Sequence, residues 1–227
     1  MTLASFFGPG SFFFEVWRAQ GVLAAGAGIT IGVSALVIVI GAVFGTIAGI
    51  GLTYGPWPVR WLIRAYCDII RGTPVLVLIF FGFYGTALLG LDVGPITAGI
   101  AAISAFCIAH SAEILRGALQ SIPATQTDAA KAIGLGFWGR LYYAILPQAL
   151  RRALPPAINT AVEMVKATTL LSLIGVVDLL LATQQAVSRN QMILEFYGAA
   201  LLFYVLINML ISRMGARIEQ RYAHIRF

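Results

Sequence analysis

Asn159, Glu163 and Lys166 recur at helical spacing inside an otherwise apolar stretch. A helix there puts an amide, a carboxylate and an ammonium on one face, with Leu170 continuing the line. Charge is costly in such a setting and faces a cavity or a partner rather than lipid. The set offers opposite charges to a polar ligand. Glu163 would meet an ammonium, and Lys166 or a helix end would meet a carboxylate. The competing reading is that Glu163 and Lys166 simply pair with each other at i,i+3. Glu113 and His110, one turn apart on another helix, offer a proton-linked pair or a ligand contact. Glu113 pairing with Arg116 is the structural alternative. Asp178 is read as a gate or as a solvated carboxylate. Thr168, Thr169 and Ser172 suit hydrogen bonds to backbone carbonyls one turn back. His110 and His224, without a cysteine cluster, do not form a metal set. Cys67 and Cys107 read as apolar filler.

The elements that must carry these groups are membrane helices. Of the 227 residues, 59% are hydrophobic and 11% charged, and the mean hydropathy is +0.89. In water such a chain would expose large apolar patches. In lipid every backbone polar group must be paired internally, and the apolar runs lack period-2 alternation, so helices are expected rather than a barrel. Five runs approach the roughly 20 residues that cross a bilayer. They are Gly21–Leu52, Pro74–Leu91, Pro95–Leu115, Ala157–Leu181 and Phe196–Met214. Phe12, Phe13, Phe14, Val16 and Trp17, with Glu15 and Arg18, place residues 1–20 as an interfacial segment. No cleavable signal peptide is expected. Gly41, Gly45 and Gly49 form a small-residue stripe suited to close helix approach, either within the subunit or at a subunit interface.

Twelve of the fifteen basic residues fall in three intervals on one side of these spans. They are Arg60, Arg64 and Arg71; then Arg116, Lys131, Arg140, Arg151 and Arg152; then Arg213, Arg217, Arg221 and Arg226. The positive-inside rule puts that side in the cytoplasm, with the N-terminus outside and the C-terminus in. The net charge of +6 is therefore read as topology, not as a nucleic-acid footprint, with weak attraction to anionic lipid.

The interval between the third and fourth runs has structure of its own. Asp128-Ala129-Ala130-Lys131-Ala132-Ile133 reads as a short helix with Thr125 or Thr127 as its cap and Asp128 at its positive end. Gly134 and Gly136 permit a reversal. Phe137 to Leu146 forms a second helical stretch, and Pro147 limits its hydrogen bonding. Phe137 and Trp138 are candidate anchors for another protein. An amphipathic hairpin lying on the membrane surface is the plain alternative.

These segments resemble a known family. Asp128-Ala129-Ala130 through Gly134 to Leu146-Pro147 is similar to the "EAA…G…LP" loop of the membrane subunits of binding-protein-dependent ABC importers. Arg71-Gly72-Thr73-Pro74 resembles the "FRGTP" of the polar amino acid subfamily, with Ile70 in place of Phe. Glu113-Ile114-Leu115-Arg116-Gly117-Ala118-Leu119-Gln120-Ser121-Ile122-Pro123 resembles "EIxRGGIxSIP". Ile145 to Arg151 with Leu154-Pro155-Pro156 resembles "ILPQALR…LPP", and Lys166 to Gly175 resembles "KDTSLLSxIG". Asp128 replaces the usual Glu, Ala167 replaces an acidic residue, and His110 stands where an aromatic is common.

The resemblance implies an all-α type I importer fold with five membrane helices in a single domain, 1–227, and a cytoplasmic coupling loop at 116–156. It implies a multi-pass permease in the bacterial inner membrane that moves a polar or charged amino acid or derivative. Asp128, Ala129, Ala130, Gly134, Phe137, Leu146 and Pro147 would couple to the ATPase. Asn159, Glu163, Lys166, Glu113 and His110 would be candidates for the substrate path. The implied partners are an ABC ATPase dimer that binds ATP and Mg, a second identical or related permease, and a substrate-binding protein. The chain has no Gly-x-x-x-x-Gly-Lys-Ser/Thr loop of its own, so ATP phosphates have no P-loop cradle in it, and no cofactor and no catalysis are expected of it. The rival class is a self-sufficient proton-coupled transporter or channel relaying through Glu113, Glu163 and Asp178. Transporters of that kind usually carry inverted repeats, and none is visible here.

Overall fold

The computed structural model describes residues 11–223, which are helical and contain no strand. Four helices are long and apolar enough to cross a membrane, and a bent pair makes up to five. Helix α1, Phe12–Tyr54, has 43 residues and a length of about 65 Å. Ser11 caps it, accepting from Phe14 N–H at 3.3 Å. Residues 12–20 are therefore the first turns of this helix, while residues 1–10 of the expected interfacial segment lie outside the described residues.

The glycine stripe of α1 faces inward. Cβ atoms at Gly41 and Gly45 would run into Cys107 and Ser111, and one at Gly49 would come within 2.9 Å of the Ala112 carbonyl. These glycines let α1 lie against α4 (Pro95–Gln120). Between the two reading alternatives, the stripe serves packing within the subunit.

Helix α2, Trp57–Gly72, follows the break at Gly55-Pro56. It was expected as an interval, not a helix. Arg60, Arg64, Asp68 and Arg71 recur once per turn and pull down any window average. Thr73 is extended, with φ −103° and ψ 132°, as the Pro74 ring demands of its predecessor. The chain then bends by 106° into α3, Val75–Leu88. The second expected run, Pro74–Leu91, is thus a helix of only about 21 Å, widened to a π turn over Phe81–Gly85.

After α4, helix α5 spans Ala124–Ala132. Helix α6 spans Phe137–Ile174, with a π turn at Arg140–Ile145 just before Pro147. A proline deprives the preceding turn of one donor, and a widened turn is one way to accommodate it. Beyond Ala167 the helix tightens to 3-10 geometry over Thr168–Ile174. Thr168, Thr169 and Ser172 donate to the carbonyls of Val165, Lys166 and Thr169 at 2.7, 2.7 and 2.6 Å.

The fourth run was expected to continue to Leu181, and here the structure differs. Gly175 has φ +85° and closes the helix, with Val176 N–H donating to Leu171 O at 3.1 Å. A left-handed glycine ends a helix regardless of the hydropathy around it. Asp178 then caps α7, Leu179–Asn190, accepting from Leu181 N–H at 2.9 Å. It is fully buried, so it is not solvated. Thr30 accepts from Leu179 N–H at 3.1 Å and ties α7 to α1. Helix α8, Ile193–Ala223, completes the described chain.

The main core joins α1, α3, α4 and α6 through Val37, Ile79, Ile103, Cys107, Met164 and Leu171. A second cluster, Leu115, Leu119, Leu141, Ile145 and Ala149, lies where α4 and α6 meet the α5 turn.

Candidate functional site

Backbone and side-chain hydrogen bonds hold the helical hairpin α5–α6 together. Gly134, at φ +81°, forms the left-handed turn anticipated for it. Its N–H donates to Lys131 O at 2.8 Å, and Leu135 N–H to Ala130 O at 3.1 Å. These two bonds satisfy carbonyls that the end of α5 would leave open. Arg140 Nη1 donates to Leu135 O at 3.0 Å. Gln148 Nε2 donates to Gln126 Oε1 at 3.3 Å, and Arg152 donates to Ser121 O and Oγ, so the hairpin is sewn to the ends of α4 and α6.

The start of the hairpin differs from the expectation. Helix α5 begins after Pro123 with no side-chain cap, so Thr125 and Thr127 do not cap it. Asp128 sits in its second turn and pairs with Lys131 at 3.1 Å. Pro123 holds the cap position with φ −58° and ψ 140°, and its carbonyl accepts from Gln126 N–H at 3.0 Å.

The projected surface carries Asp128, Ala129, Gly134 and Pro147, which are exposed, together with Ile133, Trp138, Tyr142 and Tyr143, each more than two-thirds exposed. Ala130 is buried beneath it, and Leu146 packs on the second core cluster. Phe137 stacks edge-on against Tyr54 at 5.5 Å, joining the hairpin to the end of α1. Tyr142 and Tyr143 were missed. Two adjacent aromatics four and five residues after Trp138 were the available signal.

The polar line on α6 is open. Asn159, Glu163 and Lys166 are exposed. Among the described residues, no ion pair joins Glu163 to Lys166. Leu170 leaves this face and packs against the main core, because the 3-10 segment turns the helix by about 120° per residue in place of 100°.

Glu113 and His110 separate. His110 Nδ1 lies 3.0 Å from Phe106 O, and the imidazole packs against the Phe106 ring, tilted by 38° with centroids 4.2 Å apart. Glu113 receives Arg116 Nη2 and Nε at 2.7 and 3.0 Å, Arg64 Nη1 at 3.1 Å and Arg71 Nη1 at 3.9 Å. The carboxylate is thus a structural tie between α2 and α4. Arg64 and Arg71 were not foreseen here, since nothing local links positions 49 residues apart.

At the end of the molecule opposite the hairpin, a cleft of about 570 Å³ is lined by Glu15, Arg18, Gln185, Arg189 and Asn190. Among the described residues, no group of three His, Cys, Asp or Glu is placed to hold a metal ion.

Comparison with known proteins matches this architecture. The chain is 36% identical over 208 residues to the glutamine transport system permease protein GlnP of Escherichia coli K12, covering 91% of this chain and 95% of that protein. It is 33% identical to the L-cystine transport system permease protein TcyB of Bacillus subtilis, with 88% and 86% covered. The crystal structure of an amino acid ABC transporter with histidines superposes with a TM-score of 0.85 at 26% identity, over 92% of this chain and 98% of that one. Such permeases form the membrane pathway and are not enzymes; their ATPase is a separate subunit and a substrate-binding protein is a general partner. Residues 41–224 match the binding-protein-dependent transport system inner membrane component, and this multi-pass membrane chain belongs to that family.

Proposed function

We propose that the chain imports a polar amino acid or amino-acid derivative through the bacterial inner membrane, as one of two permease subunits, identical or related. The hairpin end faces the cytoplasm and the N-terminus lies outside, in keeping with the arginine distribution. A pair of ATPase subunits, which bind ATP and Mg, dock on the exposed surface around Asp128, Ala129, Gly134 and Trp138. A binding protein delivers substrate at the opposite end, where the Glu15–Arg18–Arg189 cleft is the candidate contact. The relatives named for glutamine, cystine and arginine transport support the substrate class.

One observation carries the reading. Asn159, Glu163 and Lys166 stand open on a membrane helix, without ion-pair partners among the described residues. Lipid is a poor neighbour for them, so the face belongs to a pathway shared with another subunit. ATP-driven closure of the ATPase pair favours one of two arrangements of the membrane domain, and hydrolysis returns it.

Uptake of radiolabelled amino acids into vesicles holding the complete complex is the test. Transport should require the ATPase, ATP and the binding protein together. Transport that persists without the ATPase and follows a proton gradient would replace this reading with the proton-coupled one.

A further inference from the structure

Helix α2 lies across α4 and not along it. Tyr66 Oη donates to Ala105 O at 2.6 Å, while Arg64 and Arg71 both reach Glu113. Ala105 and Glu113 are about 12 Å apart along α4. Two arginines seven residues apart therefore meet one carboxylate, and the opposite flank of the same helix touches α4 two turns deeper. The 106° bend into α3 gives the same orientation. Since α4 crosses the membrane, α2 lies in its plane, at the hairpin end.

The two flanks differ in chemistry. Leu62, Tyr66 and Ile69 share the deeper one, at i, i+4 and i+7. Leu62 and Ile69 are each 66% exposed. They line an apolar groove of about 530 Å³ against Ala48 of α1. Arg60, Arg64 and Arg71 occupy the other flank. With Arg116 they make four arginines against the carboxylates of Glu113 and Asp68, an excess of two positive charges. Trp57 and Trp61 are 70% and 61% exposed on the remaining side, as aromatic side chains at a headgroup boundary are.

We propose that α2 is an in-plane anchor that binds anionic phospholipid, with phosphate at the Arg60–Arg64–Arg71 flank and acyl chain in the Leu62–Ile69 groove. Charge complementarity selects a phosphodiester carrying net negative charge over a zwitterionic headgroup. The groove selects a lipid over free phosphate. Assigning the lipid to the cytoplasmic leaflet rests on the orientation proposed above; the binding itself does not.

The test is native mass spectrometry of the full transporter complex released from nanodiscs of equimolar phosphatidylglycerol and phosphatidylcholine. The complex should retain phosphatidylglycerol preferentially, and less so as salt rises. The double substitution Arg60→Gln with Arg71→Gln leaves Arg64 and Arg116 on Glu113 and should lower the preference by about 30-fold. Lysine at both positions should restore it. Equal retention of the two lipids, a preference indifferent to salt, or one unchanged in the glutamine variant overturns the proposal. So does a photo-crosslinker at Leu62 that captures another subunit in place of lipid. Transport is not the readout, so failure here leaves the importer reading standing.

Discussion

Replacing Gly134 with valine isolates backbone conformation from bulk. The glycine sits at φ +81°, and a Cβ there would meet nothing within 4 Å. Space is therefore free, and the cost is purely conformational. A left-handed residue with a Cβ loses about 1–2 kcal/mol, and β-branching adds to it. If the turn opens instead, two hydrogen bonds, Gly134 N–H to Lys131 O and Leu135 N–H to Ala130 O, are lost at about 1 kcal/mol each. Either route costs about 2–3 kcal/mol, or roughly a 30- to 150-fold shift against the native hairpin. Neither core cluster includes Gly134, so membrane insertion should be normal. Co-purification of the ATPase with the variant should fall, and so should binding-protein-stimulated ATP hydrolysis. Gly134→Asn tolerates the left-handed region and should keep most of the activity. Full coupling in the valine variant, or an asparagine variant as impaired as the valine one, would refute the conformational argument.

Glu163→Gln should weaken uptake of cationic substrates more than of acidic ones, read from initial rates in vesicles; equal losses would assign Glu163 a structural role. Glu113→Ala leaves Arg64, Arg71 and Arg116 without their shared carboxylate and should cost about 1–3 kcal/mol after discounting for partial exposure, seen as a lower thermal unfolding temperature in detergent. Asp178→Ala removes the cap of α7 and should cost about 1 kcal/mol, whereas Asp178→Asn keeps an acceptor for Leu181 N–H and should unfold near the native temperature.

Hydropathy located α1, α4 and α8 because each carries an unbroken apolar run. The left-handed turn at Gly134 was legible because a glycine followed a short helical pattern. Other features were not. A window of about 20 residues passes over Gly175, where one backbone angle ends α6 while leucines continue on both sides. The same averaging hid α2, where Arg60, Arg64, Asp68 and Arg71 recur once per turn among apolar residues and lower the mean. It also left Asp178 open between a gate and a solvated carboxylate, though the side chain caps α7. The Arg64–Glu113 and Arg71–Glu113 pairs depend on helix crossing, and no local pattern encodes a crossing. The shared face of Asn159, Glu163 and Lys166 was legible in the spacing, since an α-helix converts spacing into a face, whereas their lack of an ion pair among the described residues and the departure of Leu170 were not.

Helix α1 touches the hairpin through Tyr54 and Phe137 at one end and α8 through Phe12 and Phe196 at the other. Were α1 to tilt as one body, arms of about 32 Å would swing each tip by about 3 Å in opposite directions for a rotation of about 5° about its midpoint. A displacement at the hairpin tip would then reach the Phe12 tip as a movement the size of a hydrogen bond.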